Sequence, residues 1–315
     1  MTLLIACSSR AEQFAAEVRM LDPDLDIRIA PHVGSAADIR HALVWQPPSG
    51  LLGKLPNLQL VVSVGAGVDS LLDDPTLPVV PLVRFVDNDL TARMAEYVVL
   101  NVLLHHRRMT EFRELQVRRL WKYLPEPGAR DIRVGIMGLG VLGSAAAAAL
   151  RPFGYQLKGW TRTPKTIEGV HCFSGSHLLE PFLAETDILV SILPLTPQTH
   201  GLLNRALFRK VSLRGRSPLL PGPVLINAGR GGLQIDADIL TALNAGELYA
   251  ASLDVFETEP LPANSPLWSH PRVVVTPHNA AESAPSAIAR YAVRQIRTLR
   301  QGGRLENVVH RARGY

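Results

Sequence analysis

An α/β fold built on mostly parallel sheets is the class this sequence predicts, and three observations predict it. Short apolar runs alternate with helix-forming stretches along nearly the whole chain. One run opens into a glycine-rich turn followed by an alanine-rich helix former. Two long helical segments, residues 90–120 and 283–300, bracket that region as connectors between two domains would. Strands joined by helical crossovers lie parallel, with helices covering both faces of the sheet. A chain of 315 residues suffices for two ordinary domains.

In the first part of the chain TLLIAC, DIRIA, HALVW, LQLVVSV and PLVRF read as strands, each bounded by turn residues, and AEQFAAEVRM reads as a helix after the first. The segment 90–120 then reads as one uninterrupted helix, with HHRRM (105–109) as its polar part and Trp121 just beyond its end. RVGIMG, YQLKGW, DILVSIL, VLINAG, AASLDVF and RVVVTP are the strands of the second part. SLRGRSPLLPGP, residues 212–223, is rich in Gly, Pro and Arg and reads as an enlarged loop. The helix over 283–300 closes the pattern.

Composition excludes several classes. The net charge of +5 is spread along the chain and makes no nucleic-acid motif. Two cysteines, Cys7 and Cys172, make no disulfide framework and point to a reducing compartment. His171 and Cys172 have no further ligands at metal spacing, so no metal is expected. MTLLIACSSR has no positive residue ahead of its short apolar run and reads as a first strand rather than a signal peptide. No stretch approaches the length of a membrane span, so no membrane partner is expected.

The glycine-rich turn is Gly138-x-Gly140-x-x-Gly143, with Leu139, Val141 and Leu142 between the glycines. Gly138 permits the tight turn, Gly140 lets backbone approach a pyrophosphate, and Gly143 allows close packing of helix on strand. The following helix N-terminus favours negative charge. Strand, turn, helix and a further strand at the right distance point to a dinucleotide. After that further strand stands GWTRTPK, where an NAD site would carry an acidic residue for the ribose hydroxyl. Thr161 removes the charge that would repel a 2′-phosphate, Arg162 offers a forked donor, and Lys165 adds a point charge; Thr163 lies between them. The turn therefore favours NADP, against the plainer reading of a solvated basic turn.

Three later segments sit where strands end: VLINAGRGG with Arg230, SLDVFETEPLP with Asp254, Glu257 and Glu259, and VVVTPHNA with His278. In an open α/β sheet, ligands bind outside the carboxyl ends of the strands, so these residues can converge. An arginine can hold a substrate carboxylate, and a histidine can pass a proton to a carbonyl oxygen. A carboxylate on the other imidazole nitrogen orients the ring, and Glu259 is the best candidate. Each alone is as easily a loop residue; together, beside a dinucleotide turn, they read as a site. Asp254 binds the nicotinamide carboxamide or caps local backbone groups. SVGAGVDSLL (63–72) leaves amides at Val64, Gly65, Ala66 and Gly67 that form either an anion nest or a plain turn with Asp69 near a cap. Trp45 and Trp121 are candidates for a pocket wall or for packing.

These segments together resemble the D-2-hydroxyacid dehydrogenase family, and within it the bacterial glyoxylate/hydroxypyruvate reductases of the A type. ALVWQPP, SVGAGVDSLL, MAEYVVL, VGIMGLGVLGS, GWTRTPK, NAGRGG, LDVFETEPLP, SPLWSHPRVVVTPH and RARGY carry the resemblance in family order over nearly the whole chain. It implies two Rossmann-like domains with parallel sheets and an active site in the interdomain cleft. Residues 1–93 and 285–315 would form a discontinuous substrate domain, and 94–284 the dinucleotide-binding domain. It implies Arg230 as the substrate arginine, His278 as the acid/base and Glu259 as its partner. Val64, Gly65, Ala66 and Gly67 would grip the substrate carboxylate beside Trp45. Cofactor contacts would extend to Leu193, Pro194, Ala228, Gly229, Arg230, Asp254 and His278. NADPH is the implied cofactor, with NADH possible, and the implied reaction reduces small 2-oxo acids, glyoxylate and hydroxypyruvate first. A cytoplasmic homodimer is implied too. The alternatives are an NAD-dependent dehydrogenase of larger D-2-hydroxy acids and a dinucleotide-sensing, corepressor-like binding protein. The chain departs from the family in its longer loop at 212–222, in NDLTAR before MAEYVVL, and in NAAES after His278.

Overall fold

The apolar runs of the first part become five parallel strands. β1 (Thr2–Cys7) leads through α1 (Ala11–Leu21) to β2 (Asp26–Ile29); β3 (Ile39–Trp45) and β4 (Leu60–Ser63) follow, then the short α2 (Asp69–Leu72) and β5 (Leu82–Arg84). Their order is β2-β1-β3-β4-β5, so the order reverses between β1 and β3. This is a computed structural model, and it describes residues 1–7 and 10–313; Ser8, Ser9 and the last two residues of the RARGY tail lie outside the described residues. The chain divides into two compact units, Met1–Leu90 with Glu282–Tyr315, and Thr91–Ala281.

α3 (Asn88–His106) begins in the first unit and continues into the second. Asp87 starts it by accepting the Leu90 amide at 2.8 Å. α4 (Met109–Val117) follows, then β6 (Arg133–Met137), α5 (Val141–Leu150), β7 (Gln156–Thr161), β8 (Val170–Ser174), α6 (Leu179–Ala184), β9 (Ile188–Ser191), α7 (Arg205–Phe208), β10 (Val224–Asn227), α8 (Asp236–Asn244), β11 (Ala250–Leu253) and β12 (Val273–Val275). The second sheet is parallel throughout, in the order β12-β11-β10-β9-β6-β7-β8. Its order reverses between β6 and β9. In β10, Leu225 faces a cluster with Phe182, Phe208 and Leu243, while Val224 and Ile226 face one with Val98, Val102 and Leu150. The near-continuous apolar strands are the mark of a sheet covered on both faces.

α9 (Pro285–Arg300) returns the chain to the first unit. Ile288, Ala289, Tyr291, Ala292, Val293 and Ile296 are buried, and each large apolar side chain among them contributes roughly 1.5–3 kcal/mol. The Tyr291 hydroxyl lies 3.0 Å from the Arg84 carbonyl and 3.1 Å from that of Glu306. Beyond α9, Arg311 of the RARGY tail donates to the carbonyls of Pro78 and Val80, at 2.5 and 2.9 Å.

Three expectations need correction. The segment 90–120 is not one helix: it stops at His106, resumes at Met109 and ends at Val117, with Arg108 left-handed at φ 54°. Nor is HHRRM a polar face, since His105 and His106 are both buried. His105 Nε2 meets Ser252 Oγ at 2.8 Å. His106 Nε2 reaches the Pro127 carbonyl at 3.0 Å, so Nε2 donates and Nδ1 accepts from the Tyr155 hydroxyl at 2.7 Å. Arg108 donates to Glu111 at 3.0 Å and to the Pro125 carbonyl at 2.9 Å. These tertiary bonds outweigh the small gain from continuing the helix. The third correction is β8, an edge strand absent from the sequence reading: in VHCFS only Phe173 is buried, so it shows no apolar run.

The enlarged loop at 212–222 holds no helix or strand, and its base is pinned. Ser212 Oγ donates to Asp187 at 2.6 Å, and the Arg214 carbonyl accepts from Arg133. Arg133 and Asp187 pair at 2.5 Å with side chains only 8% and 0% exposed, so the loop is anchored on a buried ion pair.

Candidate active site

Because all seven strands of the second sheet run parallel, the loops after β6, β7, β9, β10, β11 and β12 leave the same edge. Tight backbone packing joins several of them. A Cβ on Gly138 would lie 2.8 Å from the Ile192 carbonyl oxygen after β9, and one on Gly229 the same distance from that of Leu193. At Gly231 a Cβ would lie 1.7 Å from the Phe256 carbonyl oxygen, so the turn after β10 presses directly on the loop after β11. Only glycine permits that approach.

The glycine turn follows the same logic. Gly138 is left-handed at φ +98°, and its amide donates to the Trp160 carbonyl at 3.1 Å. A Cβ on Gly143 would stand 2.0 Å from the Gly138 carbonyl oxygen, which marks how closely α5 sits on the turn. A Cβ on Gly140 would meet nothing within 4 Å. Gly140 caps α5, and the first intrahelical bond runs from the Ser144 amide to its carbonyl at 2.9 Å. The amides of Val141, Leu142 and Gly143 precede that bond and form the positive end of the helix. An open cradle of this kind, kept open by a missing side chain, fits a pyrophosphate.

At the end of β7, Thr161 Oγ1 donates to the Thr163 carbonyl at 2.6 Å and closes the turn. Arg162 and Lys165 are exposed. Lys165 reaches back and donates to the Leu139 carbonyl within the glycine turn. No carboxylate stands at the end of β7, and two cations do. That donor set fits a phosphate dianion and would leave a ribose hydroxyl without an anionic acceptor.

His278 and Glu259 meet in the loops after β12 and β11. Nδ1 lies 2.7 Å from Glu259 Oε2, and both side chains are 31% exposed, so the pair opens to solvent. The Phe256 amide donates to Glu259 Oε1 at 3.0 Å. Burial would raise the Glu259 pKa, but its hydrogen bond to His278, the His278 and Arg230 charges and the Phe256 amide hold it below the ordinary carboxylate value. Glu259 is therefore a carboxylate at neutral pH. Arg230 lies on the same edge, its Nη1 donating to the Gly229 carbonyl at 2.7 Å. Asn227 fixes this turn by donating to the Arg230 carbonyl at 3.2 Å and to Gln234 at 2.7 Å.

Asp254 caps backbone groups. Its side chain accepts the Asn279 amide at 3.0 Å and the Ala280 amide at 2.9 Å, and Thr276 Oγ1 donates to it at 2.6 Å. Burial raises its pKa, partly opposed by these three bonds and the His278 charge. Glu257 is structural: it accepts the Asp236 amide at the start of α8, 2.6 Å away. Leu193, Pro194 and Ala228 line the neighbouring strand ends, the Ala228 amide donating to the Ser191 carbonyl at 3.1 Å.

In the first unit, a Cβ on Gly65 would lie 2.4 Å from the Trp45 ring, so the indole rests on the Val64–Gly67 turn. Trp45 ends β3 and the turn follows β4, at carboxyl ends beside the reversal in strand order. Ser63 Oγ donates to the Gly65 carbonyl at 3.0 Å.

The profile of the D-isomer specific 2-hydroxyacid dehydrogenase NAD-binding domain matches residues 99–280, more than half of the chain. The chain belongs to the D-isomer specific 2-hydroxyacid dehydrogenase family. It is 43% identical over 289 residues to the glyoxylate/hydroxypyruvate reductase A of Yersinia enterocolitica, covering 90% of each chain. Among solved structures, the NADPH-dependent glyoxylate/hydroxypyruvate reductase of Sinorhizobium meliloti, in complex with NADP and sulfate, superposes with a TM-score of 0.93 at 42% identity, over 100% of this chain and 99% of that one. A D-isomer specific 2-hydroxyacid dehydrogenase of Xanthobacter autotrophicus in complex with NADPH and MES gives a TM-score of 0.91 at 40% identity, again over 100% and 99%.

Sequence reasoning about this dehydrogenase gave no role to Tyr97 or Thr276, although MAEYVVL and VVVTPHNA contain them. Tyr97 OH lies 2.9 Å from Thr276 Oγ1. The only local signal was a tyrosine on the apolar face of α3 and a threonine two residues before the histidine.

Proposed function

We propose that the protein reduces small 2-oxo acids, glyoxylate and hydroxypyruvate first, to 2-hydroxy acids with NADPH. The observation that carries this reading is the Glu259–His278 pair beside Arg230, on the strand edge that also bears an open glycine cradle and a basic turn. The second unit serves as the dinucleotide domain and the first as the substrate domain. Gly138 to Gly143 hold the pyrophosphate, Arg162 and Lys165 the 2′-phosphate, with Thr161 and Thr163 shaping that turn. Leu193, Pro194, Ala228, Gly229 and Asp254 border the cofactor. Bound there, NADPH supplies the hydride that reaches the carbonyl carbon.

Arg230 holds the substrate carboxylate through paired N–H donors and draws electron density from the adjacent carbonyl. Within the substrate domain, the Val64 to Gly67 amides are donors suited to a carboxylate, and Trp45 limits side-chain size. His278 delivers a proton from its Nε2 to the carbonyl oxygen as negative charge develops there. Glu259 accepts from Nδ1, which keeps that nitrogen protonated and the ring oriented. Reduction in this direction needs His278 protonated, and oxidation of the 2-hydroxy acid needs it neutral. We propose a cytoplasmic homodimer as the working state.

Initial rates with glyoxylate and hydroxypyruvate, each with NADPH and with NADH at matched subsaturating concentrations, test the reading. Rapid turnover with NADPH preferred is expected. His278→Ala should lower kcat by roughly 10²–10⁴-fold with NADPH affinity retained. Normal turnover in that variant would remove His278 as the acid.

A further inference from the structure

The backbone at His278 is left-handed, with φ 53°. A non-glycine residue there is strained and persists only where its surroundings hold it. Asp254 supplies the hold. Its carbonyl accepts the His278 amide at 2.8 Å, and its carboxylate accepts the next two amides, Asn279 and Ala280, at 3.0 and 2.9 Å. Three consecutive amides thus converge on one residue, and the first belongs to His278.

The Asp254 carboxylate is itself fixed from behind. Thr276 Oγ1 lies 2.6 Å from its Oδ1 and 2.9 Å from Tyr97 OH. The directions follow from proton counting. A threonine hydroxyl has one proton, and an ionised carboxylate only accepts, so Thr276 donates to Asp254. Thr276 must then accept from Tyr97. The chain runs Tyr97 to Thr276 to Asp254 to the amides of 279 and 280, from α3 to the loop that bears the histidine. Asp254 is only 1% exposed, and burial pushes the Tyr97 pKa up to about 12, so at neutral pH the phenol keeps the proton it donates.

We propose that Tyr97, through Thr276 and Asp254, is a positioning residue that sets the backbone and ring of His278 for proton transfer. Tyr97 touches no reacting atom. Without its hydroxyl, Thr276 has a second acceptor lobe to fill and can rotate its proton away from Asp254. The carboxylate then loses one of its fixed partners, and the grip on residues 278–280 loosens. The inference rests on the assignment of His278 as the acid.

A double-mutant cycle tests it, with kcat, KM and NADPH affinity measured on the full chain. Tyr97→Phe should lower kcat about 3- to 10-fold, the loss of one net hydrogen bond, with KM and NADPH affinity within about twofold of the parent. Thr276→Val should lower kcat further, and Thr276→Ser, which keeps the hydroxyl, should restore it. In the His278→Ala background, Tyr97→Phe should have no further effect on kcat. Should Tyr97→Phe melt early, the Thr276→Val and Thr276→Ser pair carries the comparison. An undiminished Tyr97→Phe effect in the His278→Ala background, or a Thr276→Ser variant as slow as Thr276→Val, overturns the proposal. Normal turnover of His278→Ala alone overturns the underlying reading instead, so the two failures are distinct.

Discussion

Two glycines of the same turn should fail in different ways when each is changed to alanine. At Gly143 the new methyl would stand 2.0 Å from the Gly138 carbonyl oxygen, where 3.4–4 Å is ordinary contact. That oxygen is backbone, so α5 and the turn must separate. Overpacking of this kind costs about 1–3 kcal/mol or more, offset by at most ~1 kcal/mol from better helix propensity. The expected net loss, about 2 kcal/mol, corresponds to a Tm lower by roughly 4–8 °C for a unit of this size. At Gly140 the methyl meets nothing within 4 Å, and the backbone, φ −74° and ψ −158°, suits alanine. Its stability should stay within about 1 kcal/mol of the parent. Yet if the pyrophosphate sits over Gly140 as proposed, the methyl takes its space, and the NADPH Kd should rise on the order of 100-fold, near 2.7 kcal/mol. Thermal melts with and without NADPH separate the cases. At 100 times its Kd, NADPH should stabilise the parent by about 2.7 kcal/mol, and Gly140→Ala should lose most of that rise while melting normally without it. An intact NADPH-induced rise in Gly140→Ala, or a Gly143→Ala protein that melts with the parent, would refute the assignment of the two roles.

Other perturbations read other parts of the molecule. Arg162→Ala should weaken NADPH about 10- to 100-fold, the worth of a charge-assisted bond, and leave NADH unchanged; equal losses in titrations of both would detach Arg162 from the 2′-phosphate. Asp187→Asn should cost about 3–5 kcal/mol in urea unfolding, because Arg133 is left buried without its countercharge, and should expose the 212–222 loop to proteolysis; parent-like unfolding would mean the pair is not what holds the loop. His41 is 1% exposed with no partner of good hydrogen-bond geometry at either ring nitrogen among the described residues, and burial lowers its pKa to about 4. The unfolded chain binds its proton first, so stability present above about pH 6.5 falls as the pH drops toward 4, by up to ~3 kcal/mol. Burial lowers His105 similarly, so His41→Leu should flatten the acid slope of stability by about half, and an unchanged slope would place the proton uptake elsewhere.

Much of this molecule was legible because its strands are local apolar runs with punctuation. RVGIMG, DILVSIL and VLINAG announce themselves, and the glycine spacing after RVGIMG has one economical geometric meaning. β8 was invisible because an edge strand buries little: VHCFS contributes only Phe173 to the core. The break at Arg108 was invisible because its causes lie far away in sequence, in Ser252, Tyr155 and Pro127. Side-chain chemistry followed the same rule. Glu259 and His278 were readable as a possible pair because each ends a strand. That they meet at 2.7 Å is a tertiary fact. Tyr97 and Thr276 left only a faint sequence trace, since a tyrosine on an apolar helix face reads as packing.

The two carboxylates around His278 show why the site needs both. Each experiences burial that raises its pKa, yet the outcomes differ: Asp254 ends above the ordinary carboxylate value and Glu259 below it. The difference lies in exposure and partners. Glu259 is 31% exposed and faces the imidazole and the Arg230 charge, so its negative charge is retained beside the ring nitrogen. Asp254 is sealed in and spends its oxygens on two amides and a hydroxyl, which fixes backbone rather than charge. A single carboxylate could not serve both ends: gripping the 279–280 amides turns it toward the main chain, and orienting Nδ1 turns it toward the ring. Separating the tasks lets the loop hold a left-handed histidine rigidly while keeping the ring open to solvent.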